Sequence, residues 1–216
     1  MPVITIIDYG AGNIASIQNM LRRLGHASAV SADPDTVAAA GRLILPGVGA
    51  FDFGMKRLRE SGLVEALQLA VVKNRTPLLG ICLGAQLLTR RSDEGRMEGL
   101  GWIDAETVAF DRTRLQAGDR IPHMGWSDIA ITRPHPLLAN LPAGPRFYFV
   151  HSYHLQCRHA EDVTATAVHG YPFAAGIARD HISGFQFHPE KSHKFGMQVL
   201  DNFAAWNPQN AGGGTP

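Results

Sequence analysis

Apolar and polar positions change their rhythm halfway along the chain. Val3-Ile-Thr-Ile-Ile7 is a short β-branched run, the pattern of a buried strand. Beyond Asp8-Tyr-Gly-Ala-Gly-Asn13, residues Ile14, Ile17, Leu21 and Leu24 recur at helical spacing, and Gly25 suits the end of that helix. Residues 27–32 predict a second strand, Asp33-Pro34 opens a short helix, and Arg42-Leu-Ile-Leu-Pro46 reads as a third strand. Met55, Leu58, Leu63, Leu67 and Val71 mark a longer helix with a break near Gly62, and residues 77–81 form a fourth strand. Alternation of this kind predicts a parallel sheet covered by helices on both faces.

The second half is mostly short strand candidates separated by turn residues: 100–110, 121–131, 146–153, 163–168, 173–179 and 182–187. A last helix fits 192–206, and the Asn-, Gly- and Pro-rich tail 207–216 is expected to be disordered. With no internal repeat and no linker, residues 1–206 read as one domain. The expected fold is α/β: an open, mostly parallel sheet with helices on both faces, and a smaller antiparallel β region in the second half.

Composition narrows the function classes. Twenty Lys and Arg against 19 Asp and Glu leave a net charge of +1, which gives no reason to invoke nucleic acid or an anionic membrane. Two cysteines, Cys82 and Cys157, make no disulfide framework. No stretch reads as a signal peptide or a membrane span, so a cytoplasmic chain with reduced thiols is expected.

Chemistry concentrates at Pro77-Leu-Leu-Gly-Ile-Cys82-Leu-Gly-Ala-Gln86. An apolar run ends in Gly80, a thiol sits between Gly80 and Gly84, and a helical pattern follows at once. That is G-x-C-x-G, the thiol counterpart of the G-x-S-x-G nucleophile elbow. Small neighbours permit a strained turn, and N–H groups at the helix start favour a thiolate and can hold an oxyanion. The bland alternative is a buried, inert cysteine. A second informative stretch is Phe185-Gln-Phe-His188-Pro-Glu190-Lys-Ser192. In an extended segment His188 and Glu190 point the same way, and a carboxylate so placed fixes the imidazole tautomer and stabilises its charged form. A surface His-Glu pair would look no different in isolation. Together, however, Cys82, His188 and Glu190 supply a nucleophile, a base and an orienting group.

Rival motifs are weaker. Gly10-Ala-Gly12-Asn-Ile-Ala15 matches G-x-G-x-x-A between a strand and a helix, with Asp33 where a ribose-binding acid would sit. A dinucleotide-binding oxidoreductase is therefore the remote alternative, but the polar Asp8-Tyr9 pair interrupts the strand and the cysteine motif goes unexplained. Gly47-Val-Gly49 after the third strand leaves backbone N–H groups for a ligand, or is a plain tight turn. Ten histidines include no H-E-x-x-H, so no metal is expected. His154 reads as solvated or loosely packed, and Cys157 as structural.

Gly80-Ile-Cys82-Leu-Gly-Ala-Gln86 with Phe187-His188-Pro-Glu190 resembles the class I (triad) glutamine amidotransferases. Asp8-Tyr-Gly-Ala-Gly-Asn13, Leu45-Pro-Gly-Val-Gly49-Ala-Phe51, Pro122-His-Met-Gly-Trp126, Phe147-Tyr-Phe-Val-His-Ser-Tyr153 and His188-Pro-Glu-Lys-Ser192 narrow the resemblance to the glutaminase subunits of imidazole glycerol phosphate synthase, across about residues 3–204. The resemblance implies a flavodoxin-like, class I glutamine amidotransferase-like fold. It implies that Cys82 attacks the glutamine carboxamide, His188 moves the proton and Glu190 orients His188. Leu83, Val48 and Gly49 would supply oxyanion N–H groups, the turn after a peptide flip. Gln86, Glu94, Ser152 and Tyr153 would hold glutamine; Asn13, Tyr148 and Lys191 would face a TIM-barrel cyclase subunit, to which ammonia passes to close an imidazole ring. No cofactor is implied. Departures from the family pattern include Ser127 where Asn is commoner, His154 in place of an aromatic or Arg, and the segment 97–103. The nearest alternative is a paralogous glutaminase feeding another synthase, such as one making amidine-bearing surface sugars. A related cysteine peptidase and a non-catalytic regulatory module stand further off.

Overall fold

In the computed structural model, residues 2–208 are described; of the expected disordered tail, 209–216 lie outside the described residues. Four early strands, β1 (Ile4–Ile7), β2 (Ser28–Ser31), β3 (Leu43–Leu45) and β4 (Leu78–Ile81), alternate with helices α1 (Ile14–Arg23), α2 (Pro34–Ala38), α3 (Phe51–Glu60) and α4 (Leu63–Leu67). All four pair in parallel, in the order β2-β1-β3-β4. The predicted break in the long helix falls where Gly62 adopts a φ of +71°, between α3 and α4; a π-helical turn, Gln68–Lys73, then completes it. Asp33 caps α2 by accepting from the Thr36 amide at 2.9 Å. Its carboxylate is thus committed to a helix terminus rather than to a ribose. The Gly10 turn is likewise filled from within, by the Arg57 guanidinium whose Nε donates to the Tyr9 carbonyl. Neither feature supports the dinucleotide reading.

After the elbow come α5 (Leu83–Leu87) and strands β5 (Ala105–Ala109), β6 (His123–Asp128), β7 (Ala130–Ile131), β8 (Arg146–His151), β9 (Tyr153–Cys157), β10 (Val163–His169), β11 (Tyr171–Arg179) and β12 (Ile182–Phe185), and then α6 (His193–Ala205). Here the topology refines the expectation. β12 returns to lie parallel beside β4, and β11, β10 and β7 extend the same sheet antiparallel. β9 pairs with β11 and β5, while β6 and β8 form a separate two-stranded ribbon. The antiparallel region is therefore largely continuous with the parallel sheet. The predicted strand 146–153 breaks at Ser152, where the chain leaves the ribbon and joins the sheet.

Two apolar clusters line the two faces of the sheet. One gathers Ile4, Ile6, Ile17, Leu79 and Ile81 with Phe147, Phe185, Phe187 and the α6 residues Val199, Leu200 and Phe203. The other gathers Ile7, Leu43, Leu45 and Leu78 with Phe51, Met55, Leu63, Leu83 and Leu87. Adjacent apolar residues of the inner strands go to opposite clusters, so β1, β3 and β4 are buried throughout because both their faces are covered. Burial of both faces fixes the ends of β4 and β12 side by side, and the candidate chemistry sits at those ends.

Candidate active site

The elbow is a sharp turn held by close contacts. Cys82 has φ +53° and ψ −110°, outside the regions an L-residue prefers, at a cost of about 1–3 kcal/mol. Its amide donates to Phe185 at 2.8 Å, and its carbonyl accepts from the amides of Ala85 and Gln86. The flanking glycines are required by space. A Cβ on Gly80 would lie 2.8 Å from the Ala85 backbone, and one on Gly84 would run into the Leu45 carbonyl. The strand-to-helix turn can form only because β4 and α5 approach this closely.

His188 arrives from the neighbouring strand end. Its amide donates to the Tyr148 carbonyl at 2.9 Å, and its own carbonyl accepts from Ser192 Oγ, which in turn accepts from the Tyr148 amide. The extended geometry expected through residue 190 is not what forms. Regular pairing ends at Phe185, and Pro189–Lys191 is a 3₁₀ turn. Pro189 suits the first position of such a turn, which curls Glu190 back under the imidazole. The pairing survives by this different route: His188 Nδ1 lies 2.8 Å from Glu190 Oε1, with both side chains almost wholly buried. Asn13 Nδ2 donates to the same oxygen at 3.5 Å. The residue expected at a partner interface therefore also touches the carboxylate.

Burial by itself would lower the His188 pKa. Interaction with the Cys82 sulfur and the bond to Glu190 outweigh it and raise the value to about 9. His188 Nε2 and Glu190 Oε2 are buried without a hydrogen-bond partner among the described residues. Unpaired buried groups are rare, and the free Nε2 of His188, in the same cleft as the strained thiol, marks an atom available for proton transfer.

A cleft of about 410 Å³ opens over these groups. Cys82, Leu83, Val48, Gly49, Gln86, Glu94, Ser152, Tyr153 and His188 all line it. Gln86 is buried at its base; its Nε2 donates to the Tyr153 carbonyl at 3.2 Å and to Gln186 Oε1 at 3.1 Å. Glu94 accepts from the Phe51 amide at 2.8 Å, which fixes a carboxylate at the rim of the cleft. The Gly47–Gly49 turn packs on the elbow. Gly47 leaves no room for a Cβ between Tyr9 and Leu83, whereas Gly49, at φ +104°, faces open space. The Leu83 amide donates to the Gly47 carbonyl at 3.3 Å, so one expected oxyanion donor is engaged by the very turn that carries the others. Tyr9 holds that turn through a 2.7 Å bond from its hydroxyl to the Pro46 carbonyl. Tyr148 and Lys191 meet beside the cleft, with Lys191 Nζ 5.7 Å from the Tyr148 ring centre.

Three contributors escaped the sequence reading. Gln186 joins Gln86 to the neighbourhood of the Cys82 sulfur, Ser192 ties His188 to β8, and His151 contacts the Tyr153 carbonyl. A polar residue between Phe185 and Phe187 was the available signal for Gln186. His154 corrects an expectation: it is buried, not solvated, with Nε2 3.0 Å from the Tyr171 hydroxyl. Its strand β9 pairs with β5 on one edge and β11 on the other, and the rings of Phe110, Tyr171 and Phe173 pack against the imidazole, where the sequence predicts a turn. Cys157 is half-buried, and burial pushes its thiol up to about 12, in keeping with an inert role. Among the described residues no group of His, Cys, Asp and Glu is arranged to hold a metal ion, and no helix is long and apolar enough to cross a membrane.

Comparison with known proteins identifies the family. The family model for glutamine amidotransferase class-I matches residues 5–206. The imidazole glycerol phosphate synthase subunit HisH 2 of Pseudomonas aeruginosa is 49% identical over 201 residues, covering 93% of this chain and 98% of that protein. The HisH subunit of Wolinella succinogenes is 45% identical over 202 residues, covering 93% and 98%. Among solved structures, PurLQS from Thermotoga maritima superposes with a TM-score of 0.69 at 16% identity over 94% of this chain and 98% of that one, a likeness of fold. The chain therefore belongs to the class I glutamine amidotransferases and, within them, to the family of imidazole glycerol phosphate synthase HisH subunits.

Proposed function

We propose that this chain hydrolyses glutamine through Cys82, His188 and Glu190 and delivers the ammonia to a cyclase subunit that forms imidazole glycerol phosphate and aminoimidazole carboxamide ribotide. The observation that carries the reading is the 2.8 Å His188–Glu190 pair in the same cleft as a strained Cys82. Cys82 sulfur attacks the side-chain carboxamide carbon of glutamine, and its proton goes by way of His188 Nε2 to the departing nitrogen. Ammonia leaves and a γ-glutamyl thioester remains. Water, deprotonated by His188, then attacks the thioester carbon and releases glutamate and the thiol. Glu190 keeps the proton on Nδ1, so that Nε2 faces the reaction.

The tetrahedral oxyanion needs donors. The Leu83 amide is one, once the Gly47 carbonyl turns away from it, and the N–H groups of Val48 and Gly49 are the others. Gln86 and Glu94 hold the amino-acid end of glutamine, with Ser152 and Tyr153 along its carboxylate. The cyclase subunit docks over Asn13, Tyr148 and Lys191. Exposed Met124 and Trp126 on β6 offer apolar surface on the ribbon that carries Tyr148. No cofactor enters these steps.

The test is a coupled assay with the cyclase subunit of the same genome, its ribonucleotide substrate and glutamine. Glutamate and imidazole glycerol phosphate should appear one to one and vanish in Cys82→Ala. Glutamate formed only with another synthase would keep the triad and replace the partner. No glutamate with any partner would overturn the triad.

A further inference from the structure

At the Ser152–Tyr153 wall of the cleft lies a group of buried histidines that the steps above do not use, one of which, His151, lines the cleft itself. His123 on β6 and His151 on β8 stand directly opposite each other in the ribbon. His123 Nδ1 is 3.0 Å from His151 Nε2, and His123 Nε2 is 2.9 Å from Ser127 Oγ. His151 Nδ1 is 2.8 Å from the Tyr153 carbonyl, which also accepts from Gln86.

The direction of this chain can be worked out from its end. A carbonyl only accepts, so His151 Nδ1 carries a proton. Burial disfavours the charged ring, holding His151 well below its ordinary pKa and His123 at about 4. His151 Nε2 is therefore bare and accepts, His123 Nδ1 is the protonated donor, and His123 Nε2 accepts from the Ser127 hydroxyl. Every bond points the same way, toward the Tyr153 carbonyl.

That carbonyl sits at a mechanically decisive place. At Ser152 the chain leaves the β6–β8 ribbon and enters the main sheet as β9. The bond from the His151 ring to the Tyr153 carbonyl closes a loop around Ser152 and fixes both peptides of the turn that lines the cleft. We infer that Ser127, His123 and His151 form a one-way hydrogen-bond chain that positions the Ser152–Tyr153 wall for the amino-acid end of glutamine. They are positioning residues for substrate binding, and this rests on the cleft being the glutaminase site proposed above. In the proposed binding mode Ser152 and Tyr153 meet the carboxylate of glutamine and not its reacting carboxamide, so loss of their support weakens ground-state and transition-state binding alike and shows in KM rather than kcat.

Two measurements on the folded chain and its complex with the cyclase subunit decide the matter. Nitrogen NMR of the imidazoles should find His123 and His151 neutral with the proton on Nδ1; a proton on Nε2 of either ring overturns the chain. In glutamine hydrolysis by the complex, His123→Phe keeps a ring in place but removes the bonds. It should raise KM about five- to tenfold with kcat within about threefold, the scale of one buried hydrogen bond. His123→Asn returns an N–H near the Nδ1 position and should restore KM to within about twofold. A merely structural role would lower the melting temperature and the active fraction without the KM increase or the Asn rescue. Ser127→Ala, which removes one hydroxyl, should raise KM about two- to threefold and decides the matter if His123→Phe does not fold. Wild-type KM in both variants overturns the inference and leaves the triad intact; a wild-type complex that forms no glutamate overturns both.

Discussion

His188 and His123 are both buried, yet their pKa values move in opposite directions. His188 at the end of β12 is raised to about 9, while His123 in the ribbon is lowered to about 4. Burial pulls both down. What differs is the company: His188 has the Glu190 carboxylate 2.8 Å from Nδ1 and the Cys82 sulfur on its other side. His123 has a neutral ring, a hydroxyl and the stacked ring of His169 at 4.4 Å. An anion in contact reverses the effect of desolvation at His188, whereas at His123 desolvation dominates, His169 adds to it and Asp119 offsets only part. One site is consequently poised to carry a proton, the other to hold a fixed tautomer.

Changes that break this contrast are expected to act in a clear order. Cys82→Ala removes the nucleophile and one of the two partners that hold the His188 proton; glutamate production should fall by about 10⁴-fold or more with the fold intact. Glu190→Gln removes the carboxylate and should lower kcat by about 10²–10⁴-fold. It should also change the alkaline stability profile. His188 binds its proton more tightly when folded, so its contribution to stability is complete below pH 6.5 and is lost as pH rises through about 9. Urea unfolding across that window should show the loss in the wild type and a smaller one in Glu190→Gln.

Next is the turn that brings the sulfur to the imidazole. Gly84→Ala drives a Cβ into the Leu45 carbonyl and should destabilise the fold by about 3 kcal/mol or more, read by chemical denaturation, with glutaminase activity lost as the elbow shifts. The smallest effect is expected in the ribbon. His123 takes up its proton more readily when unfolded, so its contribution is present above pH 6.5 and is lost as pH falls toward about 4. His123→Phe should flatten the acid limb of the stability curve, by at most about 1.4 kcal/mol per pH unit, in unfolding experiments over that range. An unchanged acid limb would mean that His123 is not buried as a neutral ring.

Local sequence determined a good deal of this. The β-branched runs, the helical spacing of Ile14 to Leu24, the break at Gly62 and the Asp33 cap all depend on neighbours within a few residues, and each formed where its pattern placed it. The elbow was legible because its glycines flank the cysteine directly. Pairing of His188 with Glu190 was legible too, since any compact path across one proline brings residues two apart together, although the path is a 3₁₀ turn and not a strand. Tertiary structure decided what depends on distant segments. Only the parallel pairing of β4 with β12 carries Cys82 to His188. The return of β9 between β5 and β11 buries His154, and the cross-strand register of β6 and β8 puts His123 against His151. Periodicity reports which face of an element is apolar; it carries no record of which other element covers that face. Burial is set by that second element, and the direction in which a buried histidine titrates by the charged groups placed against it.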